Sequence, residues 1–369
     1  MAKLFICGDI ANMSSQKNFI GEDIAKLIKS ADYSIGNLEG PEKTKNMSLN
    51  CPAQLSGTIK HLRDSGFNMM LLANNHITEL GRDGLSYTIN QIKENELEYI
   101  GAGLSWNETY KSLVKDIAGI KFGFINICEA HPGVFKEKSQ EFGFAWMGYS
   151  SLFSDIAQLS SKVDFLIVFV HAGLEHCSIP LPEFRDFYHS LCNAGASVVI
   201  GGHTHSSQGY EYYGKKLVCY SLGNFFFPRN NGTWEEENSS YSIVLDFDKK
   251  GMIKISPVYH RLKNNYVNCS KPFIDLNDLC NQLNNNYLEQ ANKMCIETYD
   301  SLCSKLLASA TLGEFSNIGL WDILKNILKT TLLRRRYVSK TQKIRNSLLL
   351  HLFENESYRY TIIRALKNI

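Results

Sequence analysis

The sequence has no long hydrophobic run, no cysteine pairs at metal-binding spacing and no excess of charge of one sign. Each absence removes a class of protein. The longest apolar run, residues 165–170, is too short to cross a bilayer, and the apolar stretch at residues 3–7 is too short for a signal peptide's hydrophobic region. The ten cysteines are spread from Cys7 to Cys303 without a Cys-x-x-Cys. A small disulfide scaffold and a structural cysteine zinc site are therefore excluded, and the thiols read as reduced, in a soluble cytoplasmic protein. Lys plus Arg number 39 against 37 for Asp plus Glu, a net charge of +2, so the whole molecule has no basic footprint for nucleic acid. That balance is uneven along the chain. Residues 320–369 hold 11 Lys/Arg and 3 Asp/Glu, a net +8 that leaves −6 for the remainder.

What is present is a chain of 369 residues, 44% hydrophobic and 21% charged, long enough for two domains with full cores. Short β-branched or aromatic runs at 3–7, 33–36, 69–72, 121–127, 165–170, 197–200, 216–221, 241–246 and 254–260 predict strands. Helical patterns at 21–30, 84–96, 151–161 and 182–194 lie between them, which together predict a layered α/β (α+β) fold. Beyond about residue 270 strand signals vanish, and residues 271–369 read as a helical, Leu-rich and basic C-terminal region after a 1–270 domain. The Asn-, Gly- and Glu-rich segment 230–240 reads as a surface loop.

Polar residues cluster where the apolar runs end. Gly8-Asp9, Asn37-Leu38-Glu39-Gly40, Asn74-Asn75-His76, His171, Gly202-His203-Thr204-His205 and Ser221-Leu222-Gly223-Asn224 each follow a predicted strand. Ligands bind at the carboxyl ends of strands in helix-wrapped sheets, so these groups are candidates for one site. In an extended segment His203 and His205, two residues apart, would point to the same side. Asp9, Glu39, Asn75, His171, His203 and His205 form an oxygen and nitrogen donor set without thiolate, which suits Mn or Fe, with Zn or Ni as further options. Six ligands are too many for one catalytic zinc and suffice for two divalent metal ions if a carboxylate bridges them.

These motifs, with Gly81, Gly84 and His171-Ala172-Gly173-Leu174-Glu175, resemble in order and spacing those of the capsule-synthesis CapA family, the poly-γ-glutamate synthesis proteins, over about residues 1–260. That family is similar to the calcineurin-like metallophosphoesterases. The resemblance implies an αββα sandwich with a dinuclear metal site at the strand ends. Asp9, Glu39 and His205 would hold one metal, and Glu39 would bridge to a second held by Asn75, His171 and His203. His76 would be the general acid for a leaving-group oxygen. The implied reaction is attack of a hydroxide, held between the two metals, on a phosphorylated sugar or related anionic small molecule or glycan precursor in surface-polymer biosynthesis. A non-hydrolytic assembly factor of a polymer synthase or export complex and an enzyme of amide formation in polyglutamate-like chemistry are the alternatives. The sequence departs from the wider superfamily at Ala11, where a metal-binding His is usual, and at Glu39, where Asp is usual; Glu79 replaces the Asp of CapA-like chains.

Asn37, Asn74, Glu175 and Asn224 are further candidates for substrate contact or support of the ligands. Glu175 reads either as an orienting partner of His171 or as a solvated loop acid, and Asn224 either as a pocket residue or as turn chemistry. His61, His131, His176 and His189 have no motif around them and receive no role. Arg334-Arg335-Arg336 with Lys340, Lys343 and Arg345 reads as a solvated helix face, or as a peripheral contact with an anionic membrane or a protein. The Leu-rich neighbours of this run suit packing on the main domain or an oligomer contact.

Overall fold

A computed structural model describes residues 1–13, 16–44, 53–228, 239–263, 265–272, 274–307 and 338–368. The strands are β1 (Ala2–Ile10), β2 (Tyr33–Leu38), β3 (Met69–Leu71), β4 (Glu98–Ile100), β5 (Ala102–Gly103), β6 (Leu113–Ile117), β7 (Ile120–Cys128), β8 (Gly143–Phe144), β9 (Phe165–His171), β10 (Val198–Gly202), β11 (Tyr210–Tyr213), β12 (Lys216–Cys219), β13 (Asn224–Phe226), β14 (Ser239–Phe247), β15 (Ile253–Lys263) and β16 (Tyr266–Cys269). The α-helices are α1 (Glu22–Ser30), α2 (Thr58–Asp64), α3 (Gly81–Glu94), α4 (Trp106–Thr109), α5 (Leu152–Ser160), α6 (Pro182–Ala194), α7 (Leu276–Gln282), α8 (Tyr287–Thr298), α9 (Val338–Glu354) and α10 (Glu356–Asn368).

Two large sheets and a two-stranded pair, β5-β8, form the first of two units, Met1–Asn286. One runs β16-β15-β14-β1-β2-β3-β4 with β13 against β1, and the other runs β11-β12-β10-β9-β7-β6. Their centres are parallel: β1 to β4 in the first sheet, and β7, β9, β10 and β12 in the second. Strands buried on both faces read as continuous apolar runs, as β9 does with all seven residues buried. Aromatic contacts join the sheets. Tyr33 stacks on Phe124 with ring centroids 5.9 Å apart, and Phe122 and Phe165 meet Phe247 edge-on at 4.9 and 4.8 Å. Helices bury one stripe each, such as Leu85, Ile89 and Ile92 of α3 and Phe184, Tyr188 and Leu191 of α6. The α/β layered sandwich expected from the sequence is thus the observed fold. Helix α7 belongs to this unit, because Leu276 and Leu279 enter the inter-sheet core.

The second unit, Tyr287–Ile369, has a small core of Cys303, Leu352 and Ile362. The basic run at 334–336 and the side chains of Lys340, Lys343 and Arg345 lie outside the described residues, as does the expected loop up to residue 238. Ser239 and Ser240 already pair with β15. Among the described residues no helix is long and apolar enough to cross a membrane.

The parallel ladders decide where the functional residues sit. Pairing of β1 with β2 runs through Asp9↔Asn37 to Ile10↔Leu38, and β13 lies in parallel beside β1 with Asn224 opposite Asp9. Asp9 and His171 are therefore within their strands rather than after them. The chain at 221–224 reaches β1 because Gly8 has no side chain. A Cβ there would stand 1.8 Å from the Gly223 carbonyl oxygen. Gly8→Ala is expected to destabilise the fold by about 1–3 kcal/mol or more through forced displacement of backbone, read as a lower urea midpoint. An unchanged midpoint would contradict this packing.

Candidate metal centre

The six expected ligands converge. Asp9 and Glu39 are buried at the ends of β1 and β2, and ligand atoms of Asp9, Glu39 and His205 lie within 4.8 Å of one another. Beside them, Nε2 of His171 is 3.1 Å from Asn75 Oδ1 and 3.2 Å from Nδ1 of His203. These are two neighbouring donor clusters, one richer in carboxylate and one in imidazole. His203 and His205 do not converge by strand alternation, as an extended segment would require. The strand β10 ends at Gly202, and both histidines take left-handed backbone, with φ of 81° and 56°. Such backbone costs about 1–3 kcal/mol per non-glycine residue and is tolerated where a site needs it.

The asparagines brace this arrangement. Asn37 donates to Asp9 Oδ1 at 2.7 Å and lies 3.3 Å from Nδ1 of His171. Asn74 donates to the Leu38 carbonyl and to Asn37 Oδ1, and accepts from the His76 backbone N–H, which ties β2 to the turn after β3. Asn224 Oδ1 accepts from Nδ1 of His205 at 2.9 Å, and the Nε2 of that ring faces Glu39 Oε1 at 3.9 Å. Glu175 is 43% exposed and faces Nε2 of His203 at 3.9 Å; the structure gives it His203 as its neighbour rather than His171.

His76 stands at the rim. Its Nε2 is 3.9 Å from Glu39 Oε1 and 3.2 Å from Asn75 Nδ2, while its Nδ1 is 3.1 Å from Glu79 Oε1. The side chain is 22% exposed and lines a cavity of about 380 Å³ together with Asn75, Glu79, His131 and Phe142.

Two residues without an expected role complete the geometry. Glu129, directly after β7, and His131 form a third donor group with His203. The same strand-end signal was present there, since Glu129-Ala130-His131 follows an apolar run.

The electrostatics fit cations. Asp9 Oδ2 is buried and meets no hydrogen-bond donor of regular geometry among the described residues. Burial pushes the Asp9 carboxyl up to about 6, against the pull of the Asn37 amide. Burial and neighbouring imidazoles hold His171 and His203 far below the usual histidine range, hence neutral, the form that binds metal. Burial also lowers His260, remote from these motifs, to about 3. Groups whose folded pKa is depressed stabilise the fold above their unfolded pKa, near 6.5, and lose that contribution as pH falls. The metal-free protein is expected to lose a few kcal/mol between pH 6.5 and 3, partly offset by Asp9, whose raised pKa acts in the opposite sense. Urea titrations across that range would check it.

Buried carboxylates, amides and imidazoles at the strand ends of a helix-flanked double sheet define a layered α/β protein with a candidate metal centre. The family described as bacterial capsule synthesis protein PGA_cap matches residues 3–229, and the chain belongs to that family. It is 28% identical over 227 residues to the capsule biosynthesis protein CapA of Bacillus anthracis, covering 58% of this chain and 54% of that one. It is 23% identical over 246 residues to the PGA biosynthesis protein CapA of Bacillus subtilis (strain 168), covering 64% and 63%. The chain thus spans between half and two thirds of the length of these relatives. Similar solved structures include a 5'-nucleotidase precursor from Thermus thermophilus, with TM-score 0.41, 14% identity and coverage of 70% of this chain and 54% of that one. Another is the Thermus thermophilus sulfate thiohydrolase SoxB, with TM-score 0.46, 11% identity and coverage of 75% and 58%.

Proposed function

We propose that the chain is a metal-dependent hydrolase of phosphate esters in capsular or other surface-polymer biosynthesis, acting on a phosphorylated sugar or related anionic precursor. The observation that carries this reading is the position of His76, between the buried carboxylate of Glu39 and the open cavity. Asp9, Glu39 and His205 would hold one divalent cation, and Glu39, Asn75, His171 and His203 a second. Mn or Fe suits this oxygen and nitrogen set, with Zn or Ni as further options. Such cations supply Lewis acidity and neutralise charge on phosphoryl oxygens.

The chain's own residues do the rest. Glu79 accepts from Nδ1 of His76 and so aims Nε2 inward, where a protonated ring delivers its proton to the departing alkoxide. Asn75 joins acid and ligand set, with its Oδ1 toward His171 and its amide toward His76. Substrate enters over Phe142 and His131. A cytoplasmic location belongs to the same reading, supported by the reduced buried thiols of Cys7, Cys192 and Cys219.

The test is hydrolysis of p-nitrophenyl phosphate with added Mn²⁺, before and after chelation. Turnover that disappears with chelator and returns with Mn²⁺ is expected. Absence of hydrolysis by fully loaded protein would overturn the reading in favour of a non-hydrolytic assembly factor.

A further inference from the structure

We propose that Glu129 is a positioning residue that fixes the tautomer and orientation of His203, keeping Nδ1 of that ring toward the second cation. The inference rests on metal binding at the centre and is independent of whether phosphate esters are the substrate.

Two nitrogens of His203 face two different neighbours. Its Nδ1 is 3.2 Å from Nε2 of His171, which in turn is 3.1 Å from Asn75 Oδ1, so Nδ1 lies on the side of the ring that carries the other two donors. Its Nε2 points the other way, 3.3 Å from Oε1 of buried Glu129 and farther, 3.9 Å, from Oε1 of the 43% exposed Glu175. An imidazole that ligates through one nitrogen carries its proton on the other, and a carboxylate accepting that proton sets the ring angle and raises its basicity. Glu129 is equipped to hold still. It is fully buried, its backbone N–H donates to the His171 carbonyl at 3.1 Å, and Oε1 also accepts the Gly173 N–H at 3.3 Å. The backbone of Glu129 is thereby tied to β9, which carries the other imidazole of the same cluster, and its carboxylate to the loop after it.

The same oxygen is 3.7 Å from Nε2 of His131, whose ring meets that of His203 edge-on at 5.2 Å. Glu129, His131 and His203 could therefore ligate a cation directly. Direct ligation would use Nε2 of His203 and leave its Nδ1 aimed at His171 without a cation between them. The convergence of Asn75, His171 and His203 on the Nδ1 side favours the positioning role.

The full chain, Glu129→Gln and His131→Ala would each be titrated with Mn²⁺ by calorimetry, with thermal unfolding as the check on folding. Two binding events are expected in the unsubstituted protein. Glu129→Gln should weaken one of them about 10–100-fold and leave the other within about twofold, and His131→Ala should leave both in place. Native affinity for both events in a folded Glu129→Gln would overturn the proposal, as would loss of one event in His131→Ala, which would make the trio a site of its own. A second readout does not need the variants: nitrogen NMR of the Zn²⁺-loaded protein should show His203 protonated at Nε2. Protonation at Nδ1 would overturn the proposal even if Glu129→Gln failed to fold.

Discussion

His76→Ala is expected to slow hydrolysis of a phosphate ester about 10²–10⁴-fold while leaving the metal content unchanged, the range by which a positioned acid assists bond cleavage. The expectation follows from where the ring sits. Nε2 is 3.9 Å from Glu39, a proposed ligand, yet the side chain opens to the 380 Å³ cavity, where it would meet substrate without being enclosed by the donor clusters. The loss should shrink for esters whose leaving group needs no proton, such as p-nitrophenolate, and be largest for alkyl and sugar phosphates. Glu79→Gln, which keeps the contact with Nδ1 but removes the charge, should cost less. Metal loss in His76→Ala, measured by elemental analysis, would make His76 a ligand and withdraw the acid role.

Asp9→Asn is expected to stabilise the metal-free protein at pH 8 by on the order of 3 kcal/mol and to abolish most of the stabilisation that metal confers at the first site. The sign follows from linkage. Burial raises the Asp9 carboxyl from 3.8 to about 6, so its contribution is fully present below pH 3.8 and is lost as pH rises through about 6. At pH 8 the ionised, buried group is a liability in the absence of a cation, worth about 1.4 kcal/mol for each unit of the shift. Asparagine keeps the acceptor for the Asn37 amide at Oδ1 and places a donor where Oδ2 is now orphaned. With metal at 100 times its dissociation constant the unsubstituted protein gains about 2.7 kcal/mol per site, and the variant should gain little at the first site. Urea unfolding at pH 8 and pH 4, with and without Mn²⁺, would check all four values; a variant less stable than its parent at pH 8 without metal would contradict the electrostatic account.

Much of the fold was legible because the central strands are parallel and buried on both faces. That burial demands the uninterrupted runs seen at 165–170 and 197–200, and helix α6 occupies Pro182–Ala194 as its periodicity indicated. The short strands were not. Glu98–Ile100 and Leu113–Ile117 contain charged residues at positions where the edge of a sheet meets solvent, and Asn224–Phe226 pairs in parallel with β1 through a chain reversal that no local pattern announces. At the site, the polar residue ending each apolar run was a readable sign for Asp9, Glu39, Asn75, His171, His203 and His205. The turn that brings His203 and His205 together was not readable, since left-handed backbone at histidine has no sequence signature. Glu129 and His131 carried the sign but no familiar motif, and only the tertiary approach of β7 to β9 shows what they face.

The most direct test of a two-cation centre is a crystal of the Mn²⁺-soaked protein measured at the manganese absorption edge. Two anomalous peaks are expected about 3.5–4 Å apart, one among Asp9, Glu39 and His205 and the other among Glu39, Asn75, His171 and His203. A single peak, or a peak enclosed by Glu129, His131 and His203, would contradict the account.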